Sequence, residues 1–191
     1  MSSCNGAKCD LITLPMPFPP IYDFPPLYTR QPNSLIRKQQ LETWVNILIQ
    51  HARENKGWLI SHDGKLLEPK QDHSLFVNEN IQRQVPDPFI DEIWVYALQK
   101  GTVLKHTNDS FYILWKSLDS WSSLLLQWFE TTGKLNQVVT IYEIVSGDDS
   151  SAWEFYSMNE QICELALSKL VDRGRATMIT NDGKVVAVKV V

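Results

Sequence analysis

Cysteine is scarce in this chain: Cys4, Cys9 and Cys163 are the only three in 191 residues. An odd, sparse set with two members near one end does not make a disulfide framework, so a packed core has to hold the fold. Glycine is thin as well. Its 8 residues are scattered and form neither G-x-G-x-x-G nor a P-loop pattern, which removes the phosphate-cradling enzyme classes. The 4 histidines, His51, His62, His73 and His106, are dispersed and do not build a zinc-ligand spacing. Cys4 and Cys9 lie close together and make only a weak metal signal. Asp148-Asp149 reads as a solvated loop, not an acid/base pair. No catalytic constellation emerges, and neither a cofactor nor a metal is expected.

Long apolar runs are also missing. The densest, Leu124–Phe129, is far too short to cross a bilayer. The apolar residues of Leu11–Phe18 are broken by Pro15 and Pro17, so they do not read as a signal peptide. The expectation is a cytoplasmic protein that other molecules hold at any membrane where it acts. Nor is there a basic excess. Lys and Arg number 2 against 2 Asp and Glu in residues 1–33, 10 against 10 in 34–116, and 6 against 10 in 117–191. The whole net charge of −4 thus falls in the last part, the opposite of a nucleic-acid footprint. Protein partners are expected instead.

What the chain does have is proline and aromatic residues. Phe18-Pro19-Pro20-Ile21-Tyr22 is followed at once by Phe24-Pro25-Pro26-Leu27-Tyr28, one pentapeptide written twice. Proline pairs favour polyproline II, in which a six-residue repeat returns to one face after roughly 19 Å, so Tyr28 is expected above Tyr22 and Phe24 above Phe18. Aromatic anchors on a stiffened rod suit apolar grooves, because little ordering entropy remains to be lost on binding. The segment therefore predicts a partner-binding arm made of Phe18, Pro19, Pro20, Tyr22, Phe24, Pro25, Pro26, Leu27 and Tyr28. The alternative is an arm packed on its own domain.

Residues 1–17 lack periodicity and are expected to be disordered. After the arm (18–33), Asn33 or Ser34 can cap a helix running to about Arg53, with Leu41, Trp44, Val45, Leu48 and Ala52 at helical spacing. Trp58-Leu59-Ile60 predicts a strand, Asp63-Gly64 a turn, Lys65–Ser74 a polar loop and Asn78–Gln84 a short helix. Asp87-Pro88 predicts a helix start with Asp87 as the cap, and Phe89, Ile90, Ile93, Trp94, Ala97 and Leu98 form its stripe up to Gly101. Thr102–Lys105 and Phe111–Lys116 read as a hairpin.

The order then recurs. Leu41-Glu42-Thr43-Trp44 is matched 77 residues later by Leu118-Asp119-Ser120-Trp121, and Thr107-Asn108-Asp109 is matched 73 residues later by Thr180-Asn181-Asp182. Two matches in order make a duplicated domain. In the second copy Val138–Val145 reads as a strand and Ser157-x-x-Glu160 as a capping box opening a helix with Ile162, Leu165, Ala166 and Leu170 on one face. Val185–Val191 forms the last strand, after the turn at Gly183. Trp44, Trp94, Trp121 and Trp128 belong to apolar stripes, Cys163 to the core, and Trp153 with Phe155 could make a surface aromatic pair. Each copy reads helix, strand, helix, helix, strand, strand. The fold expected is thus α+β: two tandem winged-helix domains, that is helix-turn-helix with a β wing, at 34–116 and 117–191. The helices that would enter DNA begin with Asp91 and Glu92, or with Glu160 and Glu164, which disfavours a phosphate backbone.

Several stretches resemble one family closely: P-P-I-Y-D-F-P-P-L-Y-T-R-Q-P-N-S-L at 19–35, F-I-D-E-I-W at 89–94 and F-Y-I-L-W-K-S-L-D-S-W at 111–121. L-L-Q-W-F-E-T-T-G-K-L-N-Q-V at 125–138 and D-R-G-R-A-T-M at 172–178 belong with them. On these the chain resembles the ESCRT-II subunit family of vacuolar protein sorting, in its fungal form, from about residue 19 onward. The resemblance implies tandem winged helices, no catalysis, and a hetero-oligomer holding two copies of this chain. It implies that the P-P-x-Y arm (Pro19, Pro20, Tyr22, Pro25, Pro26, Tyr28) docks into two other winged-helix ESCRT-II subunits. It also implies that the second domain recruits and activates an ESCRT-III subunit of the vacuolar protein sorting 20 type, in multivesicular-body sorting of ubiquitinated cargo. The competing reading of P-P-x-Y is a ligand for WW domains, which would make the chain an adaptor of a ubiquitin ligase.

Overall fold

The structure, a computed structural model, describes residues 18–191. The expectation of disorder over 1–17 and the Cys4/Cys9 signal lie outside the described residues. After the arm come helix α1 (Ser34–Glu54), strands β1 (Leu59–Ser61) and β2 (Leu66–Glu68), and a small hairpin of β3 (Val77–Asn78) and β4 (Arg83–Gln84). Helix α2 (Asp87–Gln99) and strands β5 (Val103–Lys105) and β6 (Ser110–Ile113) complete the first winged helix. The second is α3 (Leu118–Thr131), β7 (Val138–Thr140), α4 (Ile141–Ser146), α5 (Glu160–Asp172), β8 (Ala176–Asn181) and β9 (Lys184–Val190).

Local chemistry sets most boundaries. The Asn33 side chain accepts from the amides of Leu35 and Ile36, and Ser117 accepts from Ser120, so α1 and α3 are both side-chain capped. Gly101 and Gly174 leave α2 and α5 with positive φ, the αL exit that glycine takes without strain. Asp182-Gly183 carries positive φ at both residues and turns β8 tightly into β9.

Several expectations are corrected. Lys65–Ser74 is not all loop: Leu66 is fully buried and β2 pairs with β1. Asn78–Gln84 forms a hairpin in place of a helix, because Asn78 turns inward to bond the arm and Gln82 has a positive φ that no helix accommodates. The strand from Val138 stops at Thr140, whose hydroxyl accepts from Glu143 and starts α4. Asn159, not Ser157, caps α5, since Ser157 has a positive φ. Asp87 stands inside α2 and Pro86 at its cap. Phe155 is fully buried against Trp128, so it is not a surface residue. Leu165 is exposed while Leu167 takes its place in the core.

The sheet of the first winged helix, in the order β2-β1-β6-β5, has two inward faces. Because side chains alternate along a strand, Ile60, Phe111 and Ile113 enter the core beneath α1 and α2, and Leu59, Tyr112 and Leu114 enter the core of α3 and α5. One sheet is therefore shared between the two cores. At the seam Trp58 and Trp115 overlap at 3.7 Å between ring centroids, and Trp121 packs against both at 5.5 and 5.8 Å. Glu154 receives Lys116 and Arg53 at the rim of this joint. No helix among the described residues is long and apolar enough to cross a membrane.

Candidate partner-docking surface

The arm does not run as polyproline II. Pro20–Asp23 and Pro25–Tyr28 are two short 3-10 turns, closed by Tyr22 N–H to Pro19 O at 2.8 Å and Leu27 N–H to Phe24 O at 3.0 Å. Proline suits the first positions of such a turn, where its fixed φ fits and its missing N–H leaves nothing unpaired. The turns carry both tyrosines into the domain, where their rings are buried and their hydroxyls bonded. Tyr22 and Tyr28 are only 4% and 2% exposed, and Leu27 is buried beside them. The tyrosine anchors expected to project outward are thus set into the chain's own domain.

They are set by hydrogen bonds as well as by contact. The Tyr22 hydroxyl donates towards Leu75 O at 2.8 Å and Val77 O at 3.1 Å, and the Tyr28 hydroxyl donates to Tyr22 O at 2.8 Å. Burial holds both phenols above their ordinary pKa, so they stay neutral donors. Trp44 of α1 packs edge-on against Tyr28 at 5.3 Å and Tyr22 at 6.3 Å, and its indole N–H donates to Leu27 O at 3.1 Å. Phe18 is half-buried, stacked on Tyr22 at 4.2 Å and on His51 at 5.4 Å. Burial, and then the charge of His73, hold His51 below its ordinary pKa.

Two buried polar residues that sequence reasoning missed complete the attachment. Gln40 Nε2 reaches the carbonyls of Pro26, Leu27 and Thr29, and its Oε1 accepts from Gln31 N–H. Asn78 Nδ2 donates to Tyr22 O and Asp23 Oδ1. A signal for Gln40 existed: it stands four residues before Trp44, on the apolar stripe of α1, where an amide is out of place.

The other side of the arm faces outward. Phe24 is 51% exposed, with Ile21 and Pro20, Pro25 and Pro26 around it, while Pro19 is half-buried. Leu35, 67% exposed, and Ile36 extend this surface onto the start of α1. Between arm and helix lies a hollow of about 370 Å³, lined by Ile21, Phe24, Pro26, Leu27, Ile36 and Gln40 among others. Nearby in sequence, Arg30 of the arm's exit and Arg37 of α1 pair with Glu92 of α2 at 2.5 Å and 3.9 Å. Such exposed pairs contribute little to stability. A larger cleft of about 1040 Å³ lies between the two domains; within it Lys184 pairs with Glu160 and Glu68 accepts from Asn159. A WW domain reads the tyrosine of P-P-x-Y, and here both rings are enclosed, so neither motif is displayed in that form.

Two α+β units in tandem, each of helices packed on a small antiparallel sheet with a β wing, define a double winged-helix protein whose first unit carries an arm with one buried and one apolar exposed side. Residues 21–159 match the family model described as ESCRT-II complex subunit. The chain is 46% identical to vacuolar protein-sorting-associated protein 25 of Saccharomyces cerevisiae, over 91% of this chain and 98% of that one. Its identity to the protein of the same name from Homo sapiens is 31%, over 85% and 92%. Among solved structures it superposes on subunit VPS25 of the endosomal trafficking complex ESCRT-II with a TM-score of 0.84 at 49% identity, covering 91% of this chain and 98% of the other. A chain in the structure of the VPS22/VPS25/VPS36 complex gives a TM-score of 0.81 at 46% identity, with the same coverage. This chain belongs to the ESCRT-II subunit family.

Proposed function

We propose that this chain is a non-catalytic scaffold subunit of ESCRT-II. Its first winged helix docks, through the outer side of the arm, onto the two other winged-helix subunits of the complex, counterparts of the VPS22 and VPS36 found with the relative. Two copies of the chain serve the two partners. The second winged helix, with its acidic balance, recruits and activates an ESCRT-III subunit of the vacuolar protein sorting 20 type. The assembly acts in multivesicular-body sorting, peripherally at the endosomal membrane, with the membrane held by other subunits.

The observation that supports this reading is the division of labour within the arm. Tyr22, Leu27 and Tyr28 are used up inside the domain, whereas Phe24, Ile21, Leu35 and Ile36 form a contiguous apolar surface that a folded domain has no internal use for. Of the nine arm residues, Pro20, Phe24, Pro25 and Pro26 therefore meet the partner, while Phe18, Pro19, Tyr22, Leu27 and Tyr28 hold them in place. Binding the Phe24→Ala chain to the purified pair of partner subunits by calorimetry tests this. Loss of a central aromatic anchor predicts affinity lower by about tenfold or more, with thermal stability within about 0.5 kcal/mol of the parent. Unchanged affinity would remove the arm from the interface.

A further inference from the structure

Gln40 has an unusual place among the described residues. It is a buried amide on the apolar stripe of α1, and every polar atom of its side chain is turned to the arm and not to its own helix. The three carbonyls it faces belong to Pro26 at 3.2 Å, Leu27 at 2.8 Å and Thr29 at 2.8 Å, and Gln31 N–H returns a bond to Oε1 at 3.2 Å. Those residues are the second 3-10 turn and its exit. A prolyl segment has few N–H groups with which to satisfy its own carbonyls, so turning it inward creates acceptors that are met largely by side-chain donors. Gln40 is the donor common to all three, joined by the Trp44 indole on Leu27 O, by Gln31 Nε2 on Pro26 O and Thr29 O, and by the Thr29 amide on Pro26 O. It also lines the hollow bounded by Phe24 and Ile21, so the amide fixing the arm adjoins the exposed apolar surface.

We infer that Gln40 is a positioning residue for partner docking: its carboxamide locks the second turn of the arm onto α1 and thereby sets Phe24 and Ile21 in the geometry that the partner reads. This rests on the docking reading above. The side chain lies beneath the surface, so its effect on binding passes through the arm. Gln40→Met keeps length and apolar contact but removes the amide. Gln40→Glu keeps the shape and replaces the donor by an acceptor pointing at three carbonyls.

The test uses the full chain and the purified pair of partner subunits. Backbone hydrogen exchange is followed at residues 27–31 and, as a control for the fold, in α5. Affinity is measured for each single variant and for the double variant with Phe24→Ala. The expected result is faster exchange at 27–31 in both Gln40 variants with α5 unchanged, and affinity lower by about tenfold, the size usual for disturbing an anchor. Added to Phe24→Ala, either variant should then lower affinity little further, because both act through the same side chain. Wild-type exchange and affinity in Gln40→Glu would overturn the inference, showing that shape alone matters there. Fully additive losses would overturn it too, since Gln40 would then act apart from the arm's anchor. If Phe24→Ala alone binds normally, the docking reading of Phe24 fails, and the exchange and affinity of the Gln40 variants still decide the role of the amide.

Discussion

Trp44 and Trp121 hold the same position in the two repeats, on α1 and α3, and both are fully buried, yet different parts of the chain cover them. Over Trp44 lies the arm, with Tyr28 at 5.3 Å and Tyr22 at 6.3 Å. Over Trp121 lie Trp58 and Trp115, which the first domain and the junction supply. In each case the chain preceding a winged helix closes the open side of its first helix. The arm does for the first domain what the first domain does for the second. The closures differ in kind: the indole N–H of Trp44 is bonded to Leu27 O, whereas those of Trp58, Trp115 and Trp121 have no partner among the described residues. The first closure is hydrogen-bonded and addressable; the second is ring packing.

The comparison can be broken most severely at Tyr28. Truncating a buried aromatic residue to alanine costs about 3–5 kcal/mol, a large part of the roughly 5–15 kcal/mol that stabilises an ordinary domain. Tyr28→Ala should therefore unfold the first winged helix at much lower urea than the parent, followed by tryptophan fluorescence. It should also abolish partner binding through loss of the domain. A stable, partner-free Tyr28→Ala chain would instead return the tyrosine to the interface.

A sharper cut compares Trp44→Phe with Trp121→Phe. Both lose similar apolar area, but only the first loses a hydrogen bond. Trp44→Phe should cost about 1 kcal/mol more, the usual net value of such a bond. Equal costs in a denaturation series would mean that the bond to Leu27 adds nothing to the arm's attachment.

The smallest effect concerns pH. His51, under Phe18, is held below the ordinary histidine value of 6.5 by burial and then by His73. As pH falls through the unfolded value, the unfolded chain takes up this proton first, so stability present above it is lost on acidification. The melting temperature should fall below that pH, and His51→Phe, which keeps a ring beneath Phe18, should flatten the slope. An unchanged slope would assign the acid sensitivity elsewhere.

Much of the fold could be read from local pattern. The stripes of α1 and α3, the Asn33 cap, the glycine exits and the Asp182-Gly183 turn express preferences of short segments and are kept in the folded chain. The stripes of α2 and α5 hold except at Leu98 and Leu165, which are exposed. The 77-residue match of Trp44 with Trp121 exposed the duplication, because each copy needs the same ring at the same depth. The hairpin at Val77–Gln84 was not legible: its partner Tyr22 is more than fifty residues away, and local propensity says nothing of that contact. The arm shows the same limit. Its motif marked where the candidate surface lies, but not which side of the motif faces out.

By itself, the sequence determined an α+β chain of two winged helices, an aromatic-proline segment beside the first, and charge of the wrong sign for nucleic acid. Those properties follow from composition, period and capping, which need only neighbours along the chain. Only the tertiary structure decided that the tyrosines point inward and Phe24 outward, that Gln40 and Asn78 hold the arm, and that one sheet serves two cores. Each of those outcomes depends on which buried donors and rings lie opposite a segment in space. For a proline-rich segment with few donors of its own, that environment outweighs the intrinsic preference for an extended helix.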